Sequence, residues 1–347
     1  MLGISVYLQD LDIPYLEAAA AAGAEYVFTS LHIPEEDFSD IDEKLPQLLT
    51  TCHSLGLTLV PDVSPVTFEK LGIKNGDMAA LKNLGITAVR LDYGFEEPGE
   101  VAALQKDFQL FLNASVVTET FLTAAAEAGT DLAKIKLAHN FYPKQDTGLG
   151  TAAFQEINQG FLRRGLQVMA FVPGDRLKRF PLYQGLPTLE KHRGLHPYTA
   201  AVELMAAFGV QDVMIGDSLA HRKTLAMITR YQSEKILTLP VQLAHEAAEL
   251  YDQVLDVRPD IPEKMIRLTT PRKKEIPVGK TLNRNLGTIT MENRLAGRYS
   301  GEIAICRQTL PFAAESNCIG FVHPEFLPLL NWIDRQTKIC FAPLADI

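Results

Sequence analysis

Short apolar runs alternate with longer segments of helical period along the first two thirds of the chain. Eight runs have strand character: LGISVYL from Leu2, AEYVFTSL from Ala24, LTLVPDV from Leu57, AVRLDYGF from Ala88, LFLNASVV from Leu110, KIKLAHNFY from Lys134, LQVMAFVPG from Leu166 and DVMIGDS from Asp212. Between them lie IPYLEAAAAAG, EKLPQLLTTCHSLG, TAAFQEINQGFLRRG and PYTAAVELMAAFG, whose apolar positions recur at helical spacing and whose last residue is glycine, the usual helix stop. Eight strand-helix units in about 230 residues predict an α/β fold, a (β/α)8 TIM barrel. A doubly wound open sheet is the alternative, but no G-x-G-x-x-G follows the first strand. From Lys235 the rhythm changes. One helical segment, AHEAAELYDQVL, precedes the short runs MIRLTT, LGTITMENR, RYSGEIAIC, NCIGFV and KICFAPL, which predict a small β-rich domain. The expected division is therefore a barrel over 1–234 and a β domain over 235–347.

Barrel enzymes place their chemistry at the C-terminal ends of the strands, so the last residues of each run are the candidates. Side chains alternate along a strand, and polar residues of one parity in an apolar run should face the lumen. Ser5, Tyr7 and Gln9 form one such set, Arg90 with Asp92 a second, and Asn113 with Ser115 a third. Lys136 has the parity opposite to His139, which argues against a Schiff-base lysine if His139 points inward. Asp92 and Asp217 end strands on different parts of the rim and are the candidate catalytic carboxylates, the arrangement glycoside cleavage requires. Rim aspartates also cap helices, the bland alternative for these two and more so for Asp10, Asp62 and Asp175. Asn113, Ser115, His139, Asn140 and Tyr142 are candidate groups for sugar hydroxyls or an acetamido group, with Thr147 and Gly148 shaping the loop above.

The connection after the seventh strand, DRLKRFPLYQGLPTLEKHRGLHP, is longer than a barrel loop needs and strongly basic. Arg193, helped by His192, is the expected grip on a substrate phosphate or carboxylate, and Glu190 is a reserve acid. A metal-dependent hydrolase drawing on His32, Asp62, His139 and Asp217 is disfavoured, because the first strand has no His-x-His pair. No cofactor is expected.

Composition narrows the partners. A formal charge of -9 with no run of like charge argues against nucleic acid and an anionic membrane surface, leaving a small molecule. The four cysteines are scattered, without a C-x-x-C pair, as expected of buried thiols in a reducing compartment. The opening MLGISVYLQD has neither a basic n-region nor a long apolar h-region, so a cytoplasmic location is expected.

The motifs LGISVYL, RLDYGF, LNASVVTE, KLAHNFYPKQDTGLG, LYQGLPTLEKHR, IGDS and GRYSGEIAI together resemble the bacterial 6-phospho-N-acetylmuramidase family over nearly the whole chain. The resemblance implies a TIM barrel followed by a cyclophilin-like β domain. It implies hydrolysis of the β-1,4 bond between N-acetylmuramic acid 6-phosphate and N-acetylglucosamine in cytoplasmic cell-wall recycling. It transfers no catalytic residue, so Asp92 and Asp217 rest on barrel position alone, and attack by the substrate's own acetamido group stays open. A phosphosugar isomerase or lyase, or a non-catalytic wall-fragment binder, are the competing functions. The β domain is expected to act as a lid or in a homodimer, with Arg272 or Arg298 reaching the barrel mouth.

Overall fold

The computed structural model describes residues 1–33, 38–73, 76–260, 262–270 and 275–344. Two compact units divide within the helix Arg222–Glu234: Met1–Thr229 and Arg230–Ile347.

The first unit is a closed barrel of eight parallel strands in sequential order. They are β1 (Leu2–Ser5), β2 (Ala24–Ser30), β3 (Thr58–Val63), β4 (Ala88–Leu91), β5 (Gln109–Asn113), β6 (Lys136–Ala138), β7 (Gln167–Val172) and β8 (Asp212–Ile215). The helices between them follow the apolar stripes of the sequence. Gly56 and Gly209 close two of these helices in the left-handed conformation, at φ 69° and 64°, which explains the glycine stops.

The lumen is filled by inward side chains of every other residue: Tyr26 and Phe28, Val60, Ala88, Phe111, Ala138, Met169 with Phe171, and Met214, all buried. Fully burying one such side chain contributes roughly 1.5–3 kcal/mol. Above them Phe28, Phe141 and Phe171 meet edge to face, with centroids 5.1 to 5.7 Å apart. The buried Arg179 guanidinium lies 4.8 Å over the Tyr7 ring, beside Phe180 and Phe141. The axis of the barrel mouth is thus closed by side chains, and open space lies to one side, over β4 and β5.

Several strands are shorter than their apolar runs. KIKLAHNFY supplies only the three residues of β6, because beyond Ala138 the backbone leaves the sheet: Asn140 N donates to Ser115 Oγ at 3.0 Å and Tyr142 N to Pro187 O at 3.1 Å. At the opposite end of the lumen Lys136 pairs with Asp212, which also takes the N-terminal ammonium at 2.8 Å. Lys136 therefore points inward, far from the rim.

The second unit is a closed seven-stranded barrel of β9 (Ile236–Leu243), β10 (Val254–Val257), β11 (Met265–Thr269), β12 (Thr288–Glu292), β13 (Ile303–Cys306), β14 (Ser316–Val322) and β15 (Lys338–Pro343). All its pairings are antiparallel except β9 with β15. AHEAAELYDQVL departs from its expected single helix. Only His245–Leu250 is helical, as a 3-10 turn; Asp252 then takes φ 59° and the chain continues into β10. Arg298 stacks on the neighbouring Tyr299 ring at 4.9 Å and donates to its hydroxyl at 2.7 Å. Arg272 lies outside the described residues.

Candidate active site

The polar residues at the upper ends of β3, β4 and β5 form one connected cluster. Arg90, near the end of β4, is buried with its head in the lumen, and a buried guanidinium must be paired. Its Nη1 donates to Asp62 Oδ1 on β3 at 2.7 Å and reaches Asp92 Oδ1 at 3.4 Å. Its Nη2 donates to the Ala138 carbonyl at 3.4 Å and to Asn140 Oδ1. Asn113, at the end of β5, gives its Nδ2 to Asp92 Oδ1 at 2.8 Å and takes the Ser115 amide on its Oδ1 at 3.0 Å. His32, just past β2, closes the ring: its Nδ1 lies 3.2 Å from the Asp62 carbonyl oxygen and its Nε2 3.5 Å from Asp92 Oδ2.

The two carboxylates are driven apart. Burial pushes the Asp62 carboxyl up, and neighbouring Asp92 adds to this against the pull of Arg90. Burial also raises Asp92, but the His32 contact, the Arg90 charge and the Asn113 amide together outweigh it, so Asp92 lies below the ordinary carboxylate value. Asp92 is the member that reaches solvent, with 23% of its side chain exposed. His32 is raised: burial works against its charge, and the two aspartates more than restore it.

Asp92 borders a cleft of about 500 Å³ between the ends of β4 and β5 and the start of the helix Glu119–Glu127. Asp92, Asn113, Asn140 and Glu96 supply its polar wall, and Tyr93, Phe95, Val116 and Phe121 its apolar one. A cleft with one apolar side and a few convergent polar groups suits a sugar.

Two family models match the chain, the 6-phospho-N-acetylmuramidase N-terminal model over residues 2–230 and the C-terminal model over 237–342. The chain belongs to the 6-phospho-N-acetylmuramidase family. It is thus a member of a family of glycoside hydrolases. Among solved structures, a conserved protein of unknown function from a locus in Enterococcus faecalis is similar at 31% identity, covering 99% of this chain and 96% of that one with a TM-score of 0.85. An uncharacterised B. cereus protein is similar at 26% identity, covering 98% and 99% with a TM-score of 0.80. No curated protein matches the chain.

For a 6-phospho-N-acetylmuramidase, the sequence-expected residues fall into two groups. Asp92, Asn113, Ser115 and Asn140 come together at the cleft. The others do not join them. Asp217 is completely buried beneath the loop after β7, where it accepts the amides of Gly174 at 2.8 Å, Arg179 at 2.9 Å and Leu186 at 3.3 Å, with Lys178 at 3.6 Å. Its carboxylate is occupied in folding that loop. Gly216 lets the loop pass, since a β-carbon there would lie 2.3 Å from the Leu186 carbonyl oxygen.

Arg193 and Glu190 form a two-pronged pair, at 2.6 and 2.7 Å. Arg193 also donates to the carbonyls of Gly185 and Lys144, while Glu190 accepts the amides of Asp146 and Gly148. The Arg193 hydrogen bond in the first place, with those amides, holds Glu190 down at about 2. The pair stitches the β6 and β7 loops together, which differs from the expected grip on phosphate. His192 is buried against Glu203, its Nε2 2.9 Å from Oε2. His139 likewise faces away from the lumen: its Nε2 lies 2.7 Å from Asn158 Oδ1 on the helix Thr151–Arg163, and its ring packs on Phe154. With Lys136, Ala138 and Asn140 inward, the alternation puts His139 outward. Tyr142 is half-buried, its amide bonded to Pro187.

His32, Asp62 and Arg90 join this cluster too, and the one feature of the sequence that marks it is the shared parity of Arg90 and Asp92. His32, Asp62 and Asp92 each offer an atom within 4.8 Å of the others, a spacing a metal could use. The Arg90 guanidinium already occupies the cation position between the two carboxylates, and His139 and Asp217, the other members of the ligand set that the sequence disfavours, lie elsewhere.

Proposed function

We propose that the β4–β5 cleft hydrolyses the β-1,4 bond of N-acetylmuramic acid 6-phosphate linked to N-acetylglucosamine, in cytoplasmic recycling of cell-wall fragments. The observation that carries this is Asp92, an anionic carboxylate that opens into a sugar-sized cleft and is fixed from behind by Arg90, Asn113 and His32. In this reading Asp92 faces the anomeric carbon, as nucleophile or as the group that orients the substrate's own acetamido oxygen. Glu96, whose Oε1 accepts the Gly94 amide at 2.9 Å, is the second carboxylate lining the cleft and, in this reading, the group that serves the leaving oxygen. Asn140, with its Oδ1 engaged by Arg90, presents its amide nitrogen to a substrate oxygen.

The test is incubation of the purified protein with the phosphorylated disaccharide and with its unphosphorylated twin, followed by mass spectrometry. Cleavage of the phosphorylated compound alone supports the reading. Cleavage of neither by folded protein, or isomerisation of a monosaccharide phosphate, contradicts it.

A further inference from the structure

Both ring nitrogens of His32 face oxygens that can only accept. Nδ1 faces the Asp62 main-chain carbonyl at 3.2 Å, and a carbonyl oxygen can only accept. Nε2 faces the Asp92 carboxylate at 3.5 Å, also an acceptor. A neutral imidazole carries one N–H and would turn a lone pair toward one of these oxygens; an imidazolium donates to both. The charged and titratable groups around the ring agree. Asp62 comes from β3, Asp92 from beyond β4, and the exposed Tyr93 ring stands edge-on with its centroid 6.0 Å away. The Arg90 guanidinium, the nearby cation, is engaged by the same two aspartates. The Lys70 ammonium is directed to the Ile33 carbonyl.

We propose that His32 is a positioning residue, stored as an imidazolium, that holds Asp92 anionic and aimed into the cleft. The inference rests on Asp92 as the catalytic carboxylate, and it adds the means by which a half-buried carboxylate stays ionised. Asp92 is flanked on one oxygen by Asn113 and Arg90 and on the other by His32. Removing the imidazolium leaves Oδ2 to water and takes one of two neighbouring cations away. No proton transfer to substrate is assigned to His32, which is not part of the cleft wall.

Three readouts on the full-length protein test this. Nitrogen NMR of the His32 ring should show both nitrogens protonated at pH 7; a neutral ring at that pH overturns the proposal. Carboxyl-carbon NMR should show the Asp92 titration moving to higher pH in His32→Gln, and an unmoved titration overturns it. On the disaccharide, His32→Gln should lose about 10- to 100-fold in kcat with KM little changed, the scale known for partners that orient the ligands of metal sites. Its acidic limb in kcat/KM should also move to higher pH. Should Asp92→Asn keep full activity, the catalytic reading fails, whereas the two NMR measurements still decide the state of His32 and its hold on Asp92.

Discussion

Arg90 shows how much of this site depends on single side chains. Asp62 is buried and has its closest counter-charge in Arg90, at 2.7 Å. Arg90→Leu therefore strands a buried carboxylate, and an expected loss of about 3–5 kcal/mol in denaturant unfolding measures the pair. His139 contrasts with it. Because its ring meets Asn158 and Phe154 on the outer helix, His139→Asn should leave KM for the disaccharide unchanged. A several-fold rise in KM would place the ring in the pocket after all. The sequence could not distinguish these fates: His139 and Asn140 are adjacent polar residues at the end of one apolar run, and which faces the lumen depends on a strand that stops at Ala138.

At the scale of elements, the loop after β7 is held by residues that the sequence suggested for substrate or catalysis. Asp217 beneath it and the Glu190–Arg193 pair along it bind main-chain groups at Gly174, Arg179, Leu186, Gly185, Asp146 and Gly148. Arg193→Ala should accordingly keep any preference for the phosphorylated substrate while making residues 174–193 more sensitive to limited proteolysis. Loss of the preference with unchanged proteolysis would restore the phosphate-binding role. The eight strands were legible because alternation and glycine stops recur, and parity identified Arg90, Asp92 and Asn113 as a lumen set. Partner choice was not legible: a charge count along a loop does not show that Arg193 meets Glu190 three residues earlier, or that Asp217 meets amides 31 to 43 residues away.

For the whole molecule, buried histidines set the acid side of stability. Burial, only partly offset by Asn158, lowers His139 from its ordinary 6.5 to about 4, so the folded state holds it neutral. The stabilisation is complete above the unfolded value near 6.5 and is lost as pH falls through about 4, where the unfolded chain binds the proton first; it amounts to roughly 3 kcal/mol. Burial lowers His192 in the same direction. Thermal melts should show Tm falling between pH 6.5 and 4, and His139→Asn should flatten that slope; an unchanged slope would contradict the assignment. The architecture, a lumen filled on its axis with the opening displaced over β4 and β5, brings Asp92 to the cleft, and the proposed function makes it the carboxylate on which turnover depends. The most direct test is kcat for the phosphorylated disaccharide in Asp92→Asn against the unaltered chain. A fall of at least about 100-fold with the fold intact is expected, and turnover within a few-fold of the unaltered chain would show that the reaction takes place somewhere other than this cleft.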